Sequence, residues 1–218
     1  MSEKRFAVVL AGCGNLDGNN IQEVVVLLTS IEQAGASFQC FAPDVEQMEV
    51  IDHYSRREMP ERRYVLHEAA RMVQGDVKPL SEFKADEFDA LVFPGGLGVT
   101  KNLCTYAVAG TNATVNEEVK NAILAMHNAK KPIGALCIAP VVVALVLRKG
   151  IITLGSRCDV SKDVEALGLT HKEAKRDEFV EDRENLLFTT PCFMLKNDLV
   201  HLSKGVSSMV NAMLSSCR

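Results

Sequence analysis

The stretch KKPIGALCIAPVVVALVLRKG, residues 130–150, decides how the rest of the chain is read. Lys130, Lys131 and Pro132 form a polar, turn-prone lead-in, and Ile133–Leu136 is a short apolar run of strand type. Residues 138–147 then read as an apolar helix closed by Arg148, Lys149 and Gly150, with Cys137 at the junction. A cysteine placed there faces the first free N–H groups of the helix and its positive dipole end, which favour thiolate over thiol. The turn also lifts the side chain above the carboxyl ends of a parallel sheet, where open α/β sheets bind ligands. Gly134 and Ala135 are small enough to permit it. An ordinary buried cysteine, a common core residue, would fit the same pattern.

Outward from this element, strand and helix patterns alternate. Residues 6–11 (FAVVLA) form a continuous apolar run, as expected of a central parallel strand covered on both faces. Gly12-Cys13-Gly14 turns the chain, and Asn19 or Asn20 caps a helix running to about Ala34, stopped by Gly35. A second strand spans 38–42, a loop with a short hairpin 44–60, and a helix 61–74. Leu91-Val92-Phe93 is a strand ending in Pro94-Gly95-Gly96, and 115–129 is an amphipathic helix. After the central stretch come a strand at 151–154, a short helix at 159–167 with Ser161 as a cap, and a strand pair at 179–180 and 186–190. A helix over 194–214, broken near Gly205, ends the chain. The alternation predicts a three-layer α/β/α sandwich around a largely parallel sheet, as a single domain over residues 1–218.

The composition narrows the function classes. A hydrophobic content of 47% supports a full core, built from Val, Leu, Ile and Ala because aromatics are only 6% and Trp is absent. A net charge of −4 argues against nucleic-acid partners and against a basic membrane face. Seven scattered cysteines, with no CxxC and no Cys/His cluster of zinc spacing, point to reduced thiols in the cytoplasm and to no metal. Leu10-Ala11-Gly12-Cys13 has the form of a lipoprotein cleavage box, but the apolar run before it is too short for a signal core and serves better as the first strand.

Gly12-Cys13-Gly14-Asn15-Leu16-Asp17-Gly18 departs from a dinucleotide fingerprint, since the third glycine comes one residue late and Asp44 lies beyond Pro43. No cofactor is expected. Gly95 and Gly96 follow a buried strand, where backbone N–H groups can face an open cavity. If Cys137 tops the neighbouring strand, the N–H groups of Gly96 and Ile138 converge on one oxygen. A thiol also needs a partner for its proton. His127, His171 and His201 read as surface or structural histidines, whereas Glu23 sits in the first helical turn amid Ile21-Gln22-Glu23-Val24-Val25-Val26. There it either complements the helix dipole or points at the sheet top as a desolvated carboxyl of raised pKa.

These residues resemble the class I glutamine amidotransferase-like superfamily and its PfpI branch. The basis is Cys137 within Gly134-Ala135-Leu136-Cys137-Ile138-Ala139-Pro140, the Pro94-Gly95-Gly96 turn with Lys101-Asn102-Leu103 after it, and Glu23. Ala11-Gly12-Cys13-Gly14, Phe41-Ala42-Pro43-Asp44, Val50-Ile51-Asp52-His53 and Thr189-Thr190-Pro191 resemble more closely the ElbB subfamily of isoprenoid-biosynthesis proteins with an amidotransferase-like domain. The resemblance runs from Arg5 to about Val210. It implies a flavodoxin-like sandwich with a nucleophile elbow, Cys137 as reactive thiol and Glu23 as its carboxyl partner. It also implies an oxyanion and substrate pocket made by Gly96, Ile138, Gly95 and Asn102. Related proteins are glyoxalases that act on small aldehydes without glutathione or metal, and many are homodimers. Amidotransferases and protease-like members usually carry a histidine directly after the cysteine or a triad histidine in a later segment; here Ile138 follows Cys137 and no later histidine clearly fits, so an evident acid for an amine leaving group is lacking. The expected function is therefore a cofactor-independent, glyoxalase-type cysteine enzyme acting on small reactive carbonyls. The alternative is a non-catalytic, redox-sensing regulator of isoprenoid metabolism.

Overall fold

The computed structural model describes residues 3–217; positions 1, 2 and 218 of the expected domain lie outside the described residues. The chain opens with β1 (Arg5–Val9), α1 (Ile21–Gln33) and β2 (Ser37–Ala42), then a hairpin of β3 (Ile51–Asp52) and β4 (Arg57–Glu58). It continues through α2 (Val65–Met72), β5 (Val77–Pro79), β6 (Ala90–Phe93), the short α3 (Tyr106–Ala109) and α4 (Glu117–Asn128). The central stretch supplies β7 (Ile133–Leu136) and α5 (Pro140–Leu147), followed by β8 (Ile151–Ile152), α6 (Asp159–Ala166) and β9 (Thr170–His171). The last elements are β10 (Val180–Asp182), β11 (Leu187–Thr190) and α7 (Leu199–Ser216).

Seven strands form one sheet in the order β10-β11-β7-β6-β1-β2-β5, parallel except for the antiparallel edge pair β10–β11. The inner run β2-β1-β6-β7-β11 is the flavodoxin-like order, reversing direction beside β1. The apolar strands explain the placement: Phe6, Ala7, Val8 and Val9 of β1 and all of β6 are fully enclosed, which requires cover on both faces. Helices α1 and α7 pack together and lie against β2, β7 and β11, while α4 and α5 pack together against β6 and β7. With right-handed crossovers leaving β1 in one direction and β6 in the other, the two helix groups fall on opposite faces. The three-layer sandwich expected from the alternation is what the chain forms.

Three local expectations change. The run at 151–154 joins a separate two-stranded ribbon, β8–β9, outside the main sheet. The sheet instead gains β5 at its edge, where Pro79 is tolerated because an edge strand needs fewer N–H donors. Helix α7 is continuous through Gly205; a side chain there would stand 3.1 Å from Thr190 Oγ1, so the glycine serves close packing on β11. Ser161 sits inside the first turn of α6, not at its cap, and its Oγ accepts from the Cys158 N–H at 2.9 Å.

Candidate active site at the top of two neighbouring strands

β6 and β7 are hydrogen-bonded neighbours, pairing Phe93 with Ala135, so the turns after them meet above the sheet. Cys137 continues the ladder by donating its N–H to Thr190 O at 2.9 Å, and the Ala139 N–H closes the turn onto Leu136 O at 2.8 Å. Between these bonds Cys137 takes φ +56°, a left-handed conformation that costs a non-glycine residue about 1 kcal/mol or more. This is the elbow expected from the sequence. Proline at the first position of α5 fits the helix start.

The β6 turn is held by Asn19, which is fully buried. Its Oδ1 accepts from the Ala11 N–H at 2.6 Å, and its Nδ2 donates to Pro94 O (3.1 Å) and Gly95 O (2.9 Å), stitching the ends of β1 and β6 together. Asn20 caps α1, its side chain accepting from the Gln22 and Glu23 N–H groups. Glu23 thereby starts the helix beneath the β6 turn with 0% exposure. Its Oε2 accepts from the Gly95 N–H at 2.9 Å, while Oε1 is buried with no partner at hydrogen-bond distance. A Cβ at Gly95 would lie 2.3 Å from Cys137 Cβ and 2.5 Å from Glu23 Oε2. Only glycine lets the carboxyl and the thiol meet across this turn.

The electrostatics follow from enclosure. Burial pushes the Glu23 carboxyl up to about 7, against the opposing pull of the Cys137 thiol and of the Gly95 and Phe193 N–H groups. Burial likewise pushes the Cys137 thiol well above its ordinary value, and the neighbouring Glu23 charge pushes in the same direction. The N–H groups of Ile138 and Gly96 pull the other way, toward thiolate. The expectation of a depressed thiol pKa is thus corrected: α5 begins only at Pro140, and enclosure outweighs its dipole. Carboxyl and thiol instead form one buried acidic pair, in which loss of charge on either favours charge on the other.

A small cavity of about 180 Å³ opens onto the sulfur, lined by Asn15, Gly96, Leu97, Cys137, Ile138, Phe193 and Met194. Of the residues expected here, Cys137, Gly96 and Ile138 line it; Glu23 and Gly95 stand behind the sulfur. Asn102 does not line it. Its amide is used up on the backbone, donating to Ala11 O (2.9 Å) and Asp17 O (2.8 Å) and accepting from the Met48 N–H (3.0 Å), so it clamps the loop after β1. None of the three histidines considered lines it either. His127 lies in a groove with Lys130, Lys149 and Arg183; His171 accepts from the Leu154 N–H at 3.1 Å; His201 pairs with Asp198 at 2.8 Å. Sequence reasoning missed Phe193, Met194 and Cys192, which follow β11 where Thr190 is in register with Leu136. The Cys192 thiol is buried beside Glu23 and Cys137, and burial first, then these two acidic neighbours, push it well above its ordinary value. The available signal was Pro191, a turn residue directly after a buried strand. Among the described residues no group of three or more His, Cys, Asp or Glu is placed to hold a metal ion, and no helix is long and apolar enough to cross a membrane.

No family model matches the chain. It is 40% identical to the ES1 protein homolog, mitochondrial, of Rattus norvegicus, over 96% of this chain and 83% of that protein. It is also 40% identical to the human glutamine amidotransferase-like class 1 domain-containing protein 3, mitochondrial, over 96% of this chain and 82% of that one. The crystal structure of an isoprenoid biosynthesis protein with amidotransferase-like domain from Ehrlichia chaffeensis superposes with a TM-score of 0.91 at 35% identity, covering 98% of this chain and 99% of the other.

Proposed function

The chain belongs to the glutamine amidotransferase-like class 1 domain family that includes the ES1 proteins, and on that footing we propose that it is a cofactor-independent cysteine enzyme converting small reactive dicarbonyls to hydroxy acids, a glyoxalase-type lyase. The observation that carries this reading is the buried pair itself. A carboxyl raised to about 7 stands beside a thiol that ionises only as a neighbour takes its proton. An acid–base group works best with its pKa near the working pH.

Cys137 Sγ forms a bond to the aldehyde carbon, the carbonyl π electrons move onto oxygen, and the thiol proton passes by way of Glu23 to that oxygen. The Gly96 and Ile138 N–H groups, already turned toward the sulfur, support the negative charge as it develops. Glu23 then takes the hydrogen of the attacked carbon as a proton and the adjacent carbonyl oxygen gains one, giving an enediol; the second carbon is then protonated as the hydroxyl on the first loses its proton and becomes the thioester carbonyl. The first carbon reaches the thioester level as the second falls to an alcohol, so oxidation and reduction balance within the substrate. Water cleaves the C–S bond, releasing the 2-hydroxy acid and restoring the thiol.

No histidine, lysine or arginine lines the cavity, so protonating an amine leaving group would fall to Glu23 alone, the group that already handles the thiol proton. That supports aldehyde chemistry over hydrolysis of peptides or glutamine. Seven free cysteines support a reducing compartment, the cytoplasm or the mitochondrial setting that both relatives' names carry. The test is conversion of methylglyoxal to lactate by the wild type and by Cys137→Ala: the variant is expected to be inactive, and turnover that persists in it refutes the reading. One observation favours a regulatory alternative, the second buried thiol of Cys192 beside the pair. Selective oxidation of Cys137 by dilute peroxide in a wild type that turns over no aldehyde would favour it.

A further inference from the structure

We infer that Asn15 is the residue that selects the substrate, its side-chain amide taking the uncharged oxygen on the carbon next to the one Cys137 attacks. The inference rests on the thiol chemistry proposed above and adds a specificity group to it. Apart from the thiol, Asn15 is the one residue with a polar side chain among those lining the cavity; the other side chains there, Leu97, Ile138, Phe193 and Met194, are apolar.

Its asparagine neighbours are more enclosed and differently used. Asn19 and Asn20, like the nearby Asn102, have their side-chain amides committed to the backbone. The Asn15 amide makes no hydrogen bond to any described residue, although its residue is held in place. Its backbone carbonyl accepts from the Leu97 N–H at 2.8 Å, and the loop around it is closed by Gly14 N–H to Asn19 O (2.9 Å) and Gly18 N–H to Gly14 O (2.6 Å). Asn15 is exposed, so its amide, carried on a backbone held in place, is in contact with water at the cavity mouth and can exchange that water for a ligand oxygen.

Two further observations fix what it would bind. The Gly96 and Ile138 N–H groups are turned to the sulfur and serve the oxygen of the attacked carbon, so the adjacent oxygen takes its donor from elsewhere on the cavity wall. No cation lines the cavity, and the Glu23 carboxyl stands behind the sulfur. A carboxylate at the second position would lose its hydration and gain no partner. At about 180 Å³, the cavity also lies below the ~300 Å³ at which pockets for drug-sized ligands begin. The ligand class is a compact, uncharged molecule with oxygens on adjacent carbons and a short apolar tail. The 2-hydroxy acid product, being an anion, is poorly held by the same site and leaves it.

The test measures alkylation of Cys137 by mass spectrometry, which needs no turnover. Iodoacetamide has an uncharged oxygen on the carbon beside the attacked one, iodoacetate has the charged equivalent, and iodoethane has none. With each reagent the S–C bond forms as iodide leaves with its electron pair. Asn15→Ala is expected to slow iodoacetamide roughly tenfold, the size of one hydrogen bond, with little change for iodoethane. Asn15→Ser, which keeps a donor, recovers part of that rate, and Asn15→Asp slows iodoacetate more than iodoacetamide. Equal slowing of all three reagents, or no change in any, overturns the assignment. The expected pattern in a protein that leaves methylglyoxal untouched sinks the glyoxalase reading and keeps Asn15; methylglyoxal turnover with unchanged rates sinks Asn15 alone.

Discussion

Replacing Glu23 by Gln keeps the shape of a fully buried side chain and removes its ionisation, so it isolates what burying this acid costs the fold. The folded chain holds the Glu23 proton up to about pH 7, whereas the unfolded chain releases it near 4.5. Between those values the native state binds more protons than the unfolded one, and stability falls as pH rises. At about 1.36 kcal/mol per pH unit the loss is roughly 3 kcal/mol, complete a little above pH 7. Glutamine still accepts from the Gly95 N–H and has no charge to desolvate. The variant-minus-wild-type stability should therefore be flat below pH 4.5 and grow by roughly 3 kcal/mol by pH 8, or about 6–12 °C in Tm for a chain of this size. The comparison stops at pH 8 because the raised Cys137 thiol adds a loss of its own at higher pH. Urea denaturation at half-unit intervals from pH 4 to 8, with m unchanged, measures the difference, and groups common to both proteins cancel. Parallel profiles for the two proteins, or a wild type that gains on the variant as pH rises, would refute the buried-acid argument.

Two other substitutions probe the scaffold. Gly95→Ala places a methyl group 2.3 Å from Cys137 Cβ and 2.5 Å from Glu23 Oε2; it should cost about 1–3 kcal/mol by overpacking and abolish turnover, and full activity in a stable variant would contradict the packing described. Asn19→Ala strands the buried Ala11 N–H and the Pro94 carbonyl, while Gly95 O keeps the Asn20 N–H; this should cost about 2–4 kcal/mol and lower Cm with the fold retained, as read by circular dichroism and urea titration.

Much of this was legible from local pattern. Apolar runs of strand length, each followed by a turn and a helix, identify the strands of the parallel sheet because such strands are covered on both faces. The same logic brings Cys137, Gly96 and Ile138 together, since residues just after adjacent parallel strands share one end of the sheet. Where pattern was weak the reading slipped. β5 is three residues with a proline, β8 pairs outside the main sheet, and Gly205 looked like a helix break because the Thr190 side chain it accommodates lies on another element.

Sequence pattern thus determined the architecture and the elbow, because periodicity and turn chemistry are local properties; it left Glu23 between two roles, and only the family resemblance paired it with Cys137. Tertiary structure decided the rest. It divided the glycine pair, giving Gly95 to the carboxyl and Gly96 to the sulfur, and it turned Asn102 into a clamp and set Asn15, exposed, at the cavity mouth. It also reversed the expected direction of the thiol's pKa. A helix dipole can be read from residue order, but desolvation is set by everything that encloses a group. Around Cys137 that enclosure comes from the end of β11, the turn after β6 and the first turn of α1, segments far apart in the chain.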